Sequence, residues 1–281
     1  MIERPSVSDP GSALFDDVWF PTPGGNDKSQ AVSVTLGELA QKAQAERWED
    51  SETPSGTVPI LHNYLRYTYA KLKQEGKILR FTDSDGIERG LFNTGLFTPN
   101  FEPLICLLES NRNPGKQPWV FKGWVTPSDW RLRGLAVDTL TPPTYFERAD
   151  ELVYNPDLEL VTNLDHILDD REDRWPDVLS EDPIQRRLIL MGAIQEVEKR
   201  ARMNWRIAVP MFYWPKSASE GRIQLLLPLR LASDKPAHLA LVIDRREGRY
   251  FGYTILTLSM AYMNARLITR PEADWITPFA T

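Results

Sequence analysis

Apolar and polar positions follow the most consistent pattern between Arg222 and Arg270. Ile223 to Leu231 is almost wholly apolar, the signature of a strand covered on both faces. His238 to Asp244 is rich in Leu, Val and Ile, and Arg245-Arg246-Glu247-Gly248 follows as a four-residue turn with glycine near its end. Arg249 to Leu258 returns with Tyr250, Gly252 and Thr254 on one face and Phe251, Tyr253 and Ile255 on the other. The three runs predict an antiparallel meander over 221–258. A helix over 259–269 follows, with Thr257 or Ser259 placed to accept from its free N–H groups. On that helix Met260, Met263 and Leu267 are expected to face the core, while Tyr262, Arg266 and Arg270 run along another face.

The same reasoning places a long helix from Pro183 to about Asn204, buried through Leu190, Ile194, Val197 and Ala201. Nearer the start, Thr35 opens a short helix with Glu38 at the capping-box position. Leu61, Tyr64, Leu65, Thr68 and Leu72 give a second helix, which Gly76 stops. Lys77–Thr82 and Arg89–Thr94 then flank a DSDG turn as a hairpin. Helix, helix, hairpin is the order of a winged-helix lobe over 31–97. An amphipathic layer with a solvated basic face explains the same residues. Leu104 to Ser110 reads as helix and PWVFKGWV as a strand whose aromatics, where exposed, could stack bases and more often belong to the core. Residues 1–30, rich in Pro, Gly, Ser and Asp, are expected to be a mobile arm that docks through Phe15, Trp19 and Phe20. No internal repeat is visible. The expected class is α+β: one domain over 31–281, with the main sheet and its helices in 98–281.

Composition narrows this picture without changing it. The chain has 281 residues, 42% hydrophobic and 26% charged, enough for a sizeable core. No apolar run is long enough to span a membrane, and the first residues lack a signal peptide's pattern. The single cysteine, Cys106, cannot make an internal disulfide, which points to the cytoplasm. A net charge of −6 argues against wholesale coating of nucleic acid but leaves room for a local basic groove.

The residues with chemical potential are few. His166 and Asp170, one helical turn apart, form a candidate acid–base pair; Asp165 and Asp169 beside them extend it toward a metal site. An acidic helix end neutralised by Arg171 and Arg174 explains the same stretch. Lys77, Arg200, Arg230 and Arg266 are candidate phosphate contacts, with Asn204, Thr254 and Asn264 as hydrogen-bonding partners. Against this, Glu196 with Arg200 and Glu198 with Arg202 are ordinary helix-stabilising pairs. NTGL at 93–96 is too short for a phosphate-binding loop and lacks its lysine.

GYTILTLSMAYMNARLI at 252–268 resembles the signature of a bacterial family of unknown function, number 3825, which also occurs fused to OST-HTH/LOTUS domains. The match runs from about Leu36 to 276 and includes Gly252, Thr254 to Leu258, Met260 to Tyr262 and Asn264 to Ile268. It also takes in His166, Ile167, Leu168, Asp170, Arg174 and Pro176, so the resemblance adds Arg174 to the candidate contacts. Ser259, Met263 and Arg171 depart from the family pattern, standing where Asp, Asn and Asn are usual. The resemblance brings no activity, and its LOTUS association implies RNA. The expected function is an RNA-associated domain that binds an RNA end or a nucleotide, with processing as an attached activity. A metal-dependent phosphoesterase built on Asp165, His166, Asp169 and Asp170, and a non-catalytic adaptor for a protein partner, remain alternatives. No cofactor is identified.

Overall fold

In a computed structural model, the structure describes residues 13–21, 28–50, 56–113, 115–169, 174–176, 182–215, 218–273 and 275–276. The fold is α+β and divides into two compact units, residues 1–144 with 216–219, and 145–215 with 220–281.

The first unit opens with a short helix α1 (Ala13–Asp17) and a two-residue strand β1 (Val18–Trp19), followed by helices α2 (Lys28–Lys42) and α3 (Pro59–Gln74). Four strands complete it: β2 (Leu79–Thr82), β3 (Glu88–Phe97), β4 (Pro103–Ser110) and β5 (Trp119–Val125). The hairpin at 79–97 is thus the edge of a five-stranded sheet in the order β1-β5-β4-β3-β2. Residues 104–110 are strand, not the expected helix. LICLL is the centre of β4, flanked by β3 and β5 and buried on both faces, and such a run carries no periodicity to tell the two apart. Helix α2 begins at Lys28, so Thr35 lies mid-helix, and its carbonyl accepts from Trp124 Nε1 at 2.9 Å.

The described part of the arm packs on the first unit. Leu14, Val18 and Phe20 are buried, Val18 pairs in parallel with Trp119, and Asp17 accepts from Tyr69 Oη at 3.0 Å. Phe15 stacks on His62 with ring centroids 4.2 Å apart. The NTGL stretch is structural: Gly95 has φ +75° in an irregular part of β3, and its N–H donates to Asn93 Oδ1 at 2.8 Å.

The second unit contains β6 (Leu160–Thr162), α4 (Leu164–Asp169), α5 (Pro183–Met203), β7 (Val209–Tyr213), β8 (Arg222–Leu229), β9 (Leu239–Arg246), β10 (Arg249–Thr257) and α6 (Leu258–Ala265). Strands β8 to β10 are the expected meander, and β7 and β6 extend it to the order β6-β10-β9-β8-β7. Glu247 and Gly248, both at positive φ, make a tight two-residue turn between β9 and β10. Leu190, Ile194, Val197 and Ala201 of α5 pack on Leu225, Leu227, Leu241 and Ile243. Thr257 caps α6, its hydroxyl accepting from Met260 N at 3.3 Å. The buried face of α6 is Ala261, Tyr262 and Ala265, not the expected Met260 and Met263; the two alanines let this short helix lie close to its neighbours.

The two sheets follow one plan that the sequence conceals. In each, a very short first strand precedes two helices and a four-stranded antiparallel meander, then pairs in parallel with the meander's last strand. The longer helix packs on the second strand of its meander, α3 on β3 and α5 on β8. The registers also agree: Val18 pairs with Trp119, and Leu160 with Tyr250. Counted from Trp119 and from Tyr250, the fourth residue of β5 and of β10, Lys122 and Tyr253, is the one left unpaired at a β-bulge.

Candidate functional site

Unit 2 gathers three of the expected contacts at the C-terminal end of α5. Arg230 Nη2 lies 2.7 Å from Glu196 Oε1, and Arg200 Nη1 is 3.7 Å from the same oxygen. One carboxylate shared by two guanidiniums leaves positive charge over. Asn204 ends the helix, its N–H donating to the Arg200 carbonyl at 2.8 Å and its side-chain oxygen accepting from Arg206 N at 3.2 Å. That turn presents Trp205, 48% exposed, with the Arg206 guanidinium 5.4 Å from the indole centroid. The sequence reading did not mark Trp205 and Arg206 as functional; an aromatic between cations just past a helix end was the available signal.

The other expected residues of this unit flank β10. Asn163 ties α4 to the strand: its N–H donates to the Gly252 carbonyl at 3.3 Å and its side chain accepts from His166 N at 3.1 Å. His166 is exposed on α4, Asp165 pairs with Arg187 of α5, and Asp170 lies outside the described residues. Among the described residues no three His, Cys, Asp or Glu stand close enough to hold a metal ion. Arg174 donates to the Ile255 carbonyl and lies 3.5 Å from Thr254 Oγ1. Strand β6 covers β10 only at Tyr250–Gly252, so Arg174 satisfies part of the uncovered edge beyond it. Asn264 is half-buried on α6, and Arg266, at 8% exposure, is buried where that helix ends.

Lys77 belongs to the first unit. Its ammonium reaches Glu75 Oε2 at 2.8 Å, Thr144 Oγ1 at 2.9 Å and the Pro142 carbonyl at 3.1 Å, which accounts for its three donors.

A further polar row crosses the second sheet. Asp244, 2% exposed, accepts from Arg246 Nε at 2.8 Å and lies 2.9 Å from Arg222 Nε. The Arg222 guanidinium lies 5.4 Å from the Tyr213 ring centroid, and that of Arg246 lies 5.8 Å from Tyr253. An aspartate ending the apolar run HLALVID was the signal for this row. At its β10 end, Phe251 and Tyr253 lie parallel with centroids 5.8 Å apart. They border an open groove of about 290 Å³ with Val161, Thr162, Asp165 and Arg187.

Two meanders with matching edge strands define an α+β protein with a repeated sheet plan. The chain belongs to the family described as "Domain of unknown function (DUF3825)", whose pattern matches residues 39–275. No curated protein and no solved structure shows a significant match to it. Among the described residues no helix is long and apolar enough to cross a membrane.

Proposed function

We propose that this protein is an RNA-associated protein of the cytoplasm that binds single-stranded RNA, engaging an RNA end or a nucleotide. The observation that carries the reading is the last turns of α5, where Arg200 and Arg230 share Glu196 and the helix runs on through Asn204 into the exposed Trp205 and Arg206. Guanidiniums suit phosphate, and an exposed indole gives an unpaired base a surface to stack on. The net charge of −6 confines attraction to such local patches and disfavours coating of nucleic acid at large. The association with OST-HTH/LOTUS domains implied by the sequence resemblance supports RNA over DNA as the ligand. Arg266 is buried, so the reading rests on Arg200, Arg230 and Arg206 as its phosphate contacts.

The test is the affinity of a labelled single-stranded RNA at several salt concentrations. The paired change Arg200→Ala/Arg230→Ala is expected to weaken binding and to reduce the salt slope by about 0.7 per lost phosphate contact. Trp205→Ala is expected to cost about 1–3 kcal/mol at unchanged slope. Wild-type protein that ignores RNA at low salt, or folded variants that bind as wild type does, would overturn the proposal.

A further inference from the structure

The row across the second sheet and the groove at its end have no part in the surface at the C-terminal end of α5. Tyrosines stand at both ends, Tyr213 at 41% and Tyr253 at 38% exposure, with Arg222 and Arg246 between them on one buried carboxylate. Both arginine side chains are two-fifths or more exposed, and Asp244 neutralises only one of their two charges.

The comparison of the two sheets shows that the rings at the end of this row are not required by the fold. The same bulge forms in the first sheet with Lys122 in the place of Tyr253 and Val120 in the place of Phe251. There the bulge residue reaches Glu109 through an ion pair of 3.4 Å and brings no aromatic ring. A bulge commonly re-aims a side chain, and in the second sheet the side chain it re-aims is a half-exposed phenol at the lip of a groove.

We infer that this groove is a subsite for one nucleotide, the base stacking on Tyr253, its polar edge meeting Asp165 and Arg187, and its phosphate drawn by the charge at Arg246. The choice of ligand rests on the RNA reading above; the fit rests on the groove. Its volume of about 290 Å³ lies at the lower end of small-ligand sites, room for one nucleotide and not for a run of them. Val161 and Phe251 give it apolar surface for a planar ring. The Asp165–Arg187 pair offers an acceptor and donors side by side, which is what the hydrogen-bonding edge of a base requires. The excess positive charge of the row favours an anionic ligand over a neutral aromatic one.

The experiment measures binding of the four ribonucleoside 5′-monophosphates to the full chain by saturation-transfer NMR and equilibrium dialysis. At least one is expected to bind in the millimolar range or tighter. Tyr253→Ala is expected to weaken it about tenfold or more, and Tyr253→Phe to retain it, as stacking requires. Asp165→Asn, an exposed change that tests the groove even where Tyr253→Ala melts early, is expected to alter the preference among bases. In the Arg200→Ala/Arg230→Ala protein the part of monophosphate binding that depends on Tyr253 should persist. Monophosphate binding without RNA binding would sink the polymer reading and leave this subsite standing. No detectable monophosphate binding, or binding indifferent to both Tyr253→Ala and Asp165→Asn, overturns the subsite whatever the RNA assay shows.

Discussion

Acidification should loosen the docked N-terminal segment through one histidine. The His62 ring stacks on Phe15 at 4.2 Å with planes 9° apart. Burial first, and the Arg66 charge second, lower its pKa from 6.5 to about 4. The folded state therefore binds this proton more weakly than the unfolded chain does. The associated stability is complete above about pH 6.5 and is lost as the pH falls toward 4. By pH 5 the full shift would cost about 2 kcal/mol; the ring is partly exposed, and solvent screening reduces that to about 1 kcal/mol. The chain has three histidines, so proton NMR can follow each ring, with His62→Phe identifying the resonance. We expect His62 to titrate well below the usual range. Thermal melts of wild type between pH 7 and 5 should show a loss of stability that is smaller in His62→Phe. A His62 resonance titrating near 6.5, or a variant with the wild-type pH dependence, would refute the reasoning.

Two further changes test the fold. Gly95→Ala meets both a positive φ and the Tyr64 hydroxyl, which donates to the Thr94 carbonyl; chemical denaturation should show a loss of about 1–3 kcal/mol, partly relieved when Tyr64→Phe is added. Thr257→Ala removes the α6 cap and should cost about 1 kcal/mol by the same measurement, with Thr257→Ser restoring most of it.

The elements legible in the sequence are those whose local signals agree with their packing. The β8–β10 meander, the extent of α5 and the Thr257 cap are of this kind. Strand β4 was not legible, because an apolar run buried on both faces has lost the alternation that marks a strand. Strands β1 and β6 span two and three residues, too few for any period, so the parallel pairings that close each sheet had no local trace. With them went the repeated plan, which resides in register and bulge position: Trp119 answers to Tyr250 and Phe121 to Gly252 without likeness of residue type. Of the expected contacts, Arg200 and Asn204 could be set side by side because helical spacing reports neighbours, whereas Arg230, just past β8, reaches Glu196 only through the fold. The row through Asp244 was missed because it runs across strands, where neighbours are set by register and not by distance along the chain.

The parallel pairings also bear on how the chain assembles during synthesis. Val18 must wait for Trp119, and Leu160 for Tyr250, separations of about 100 and 90 residues. Each meander can zip up hairpin by hairpin as it is made, but its last strand keeps one bare edge until a segment made far earlier returns to it. At about 5–20 residues per second, that segment remains unpaired for several seconds. A ribosome-bound chain stalled after its short first strand but before the last strand of the meander would thus carry a loose strand in search of an edge. In a crowded polysome, the neighbouring chain's half-built sheet is the nearest one on offer.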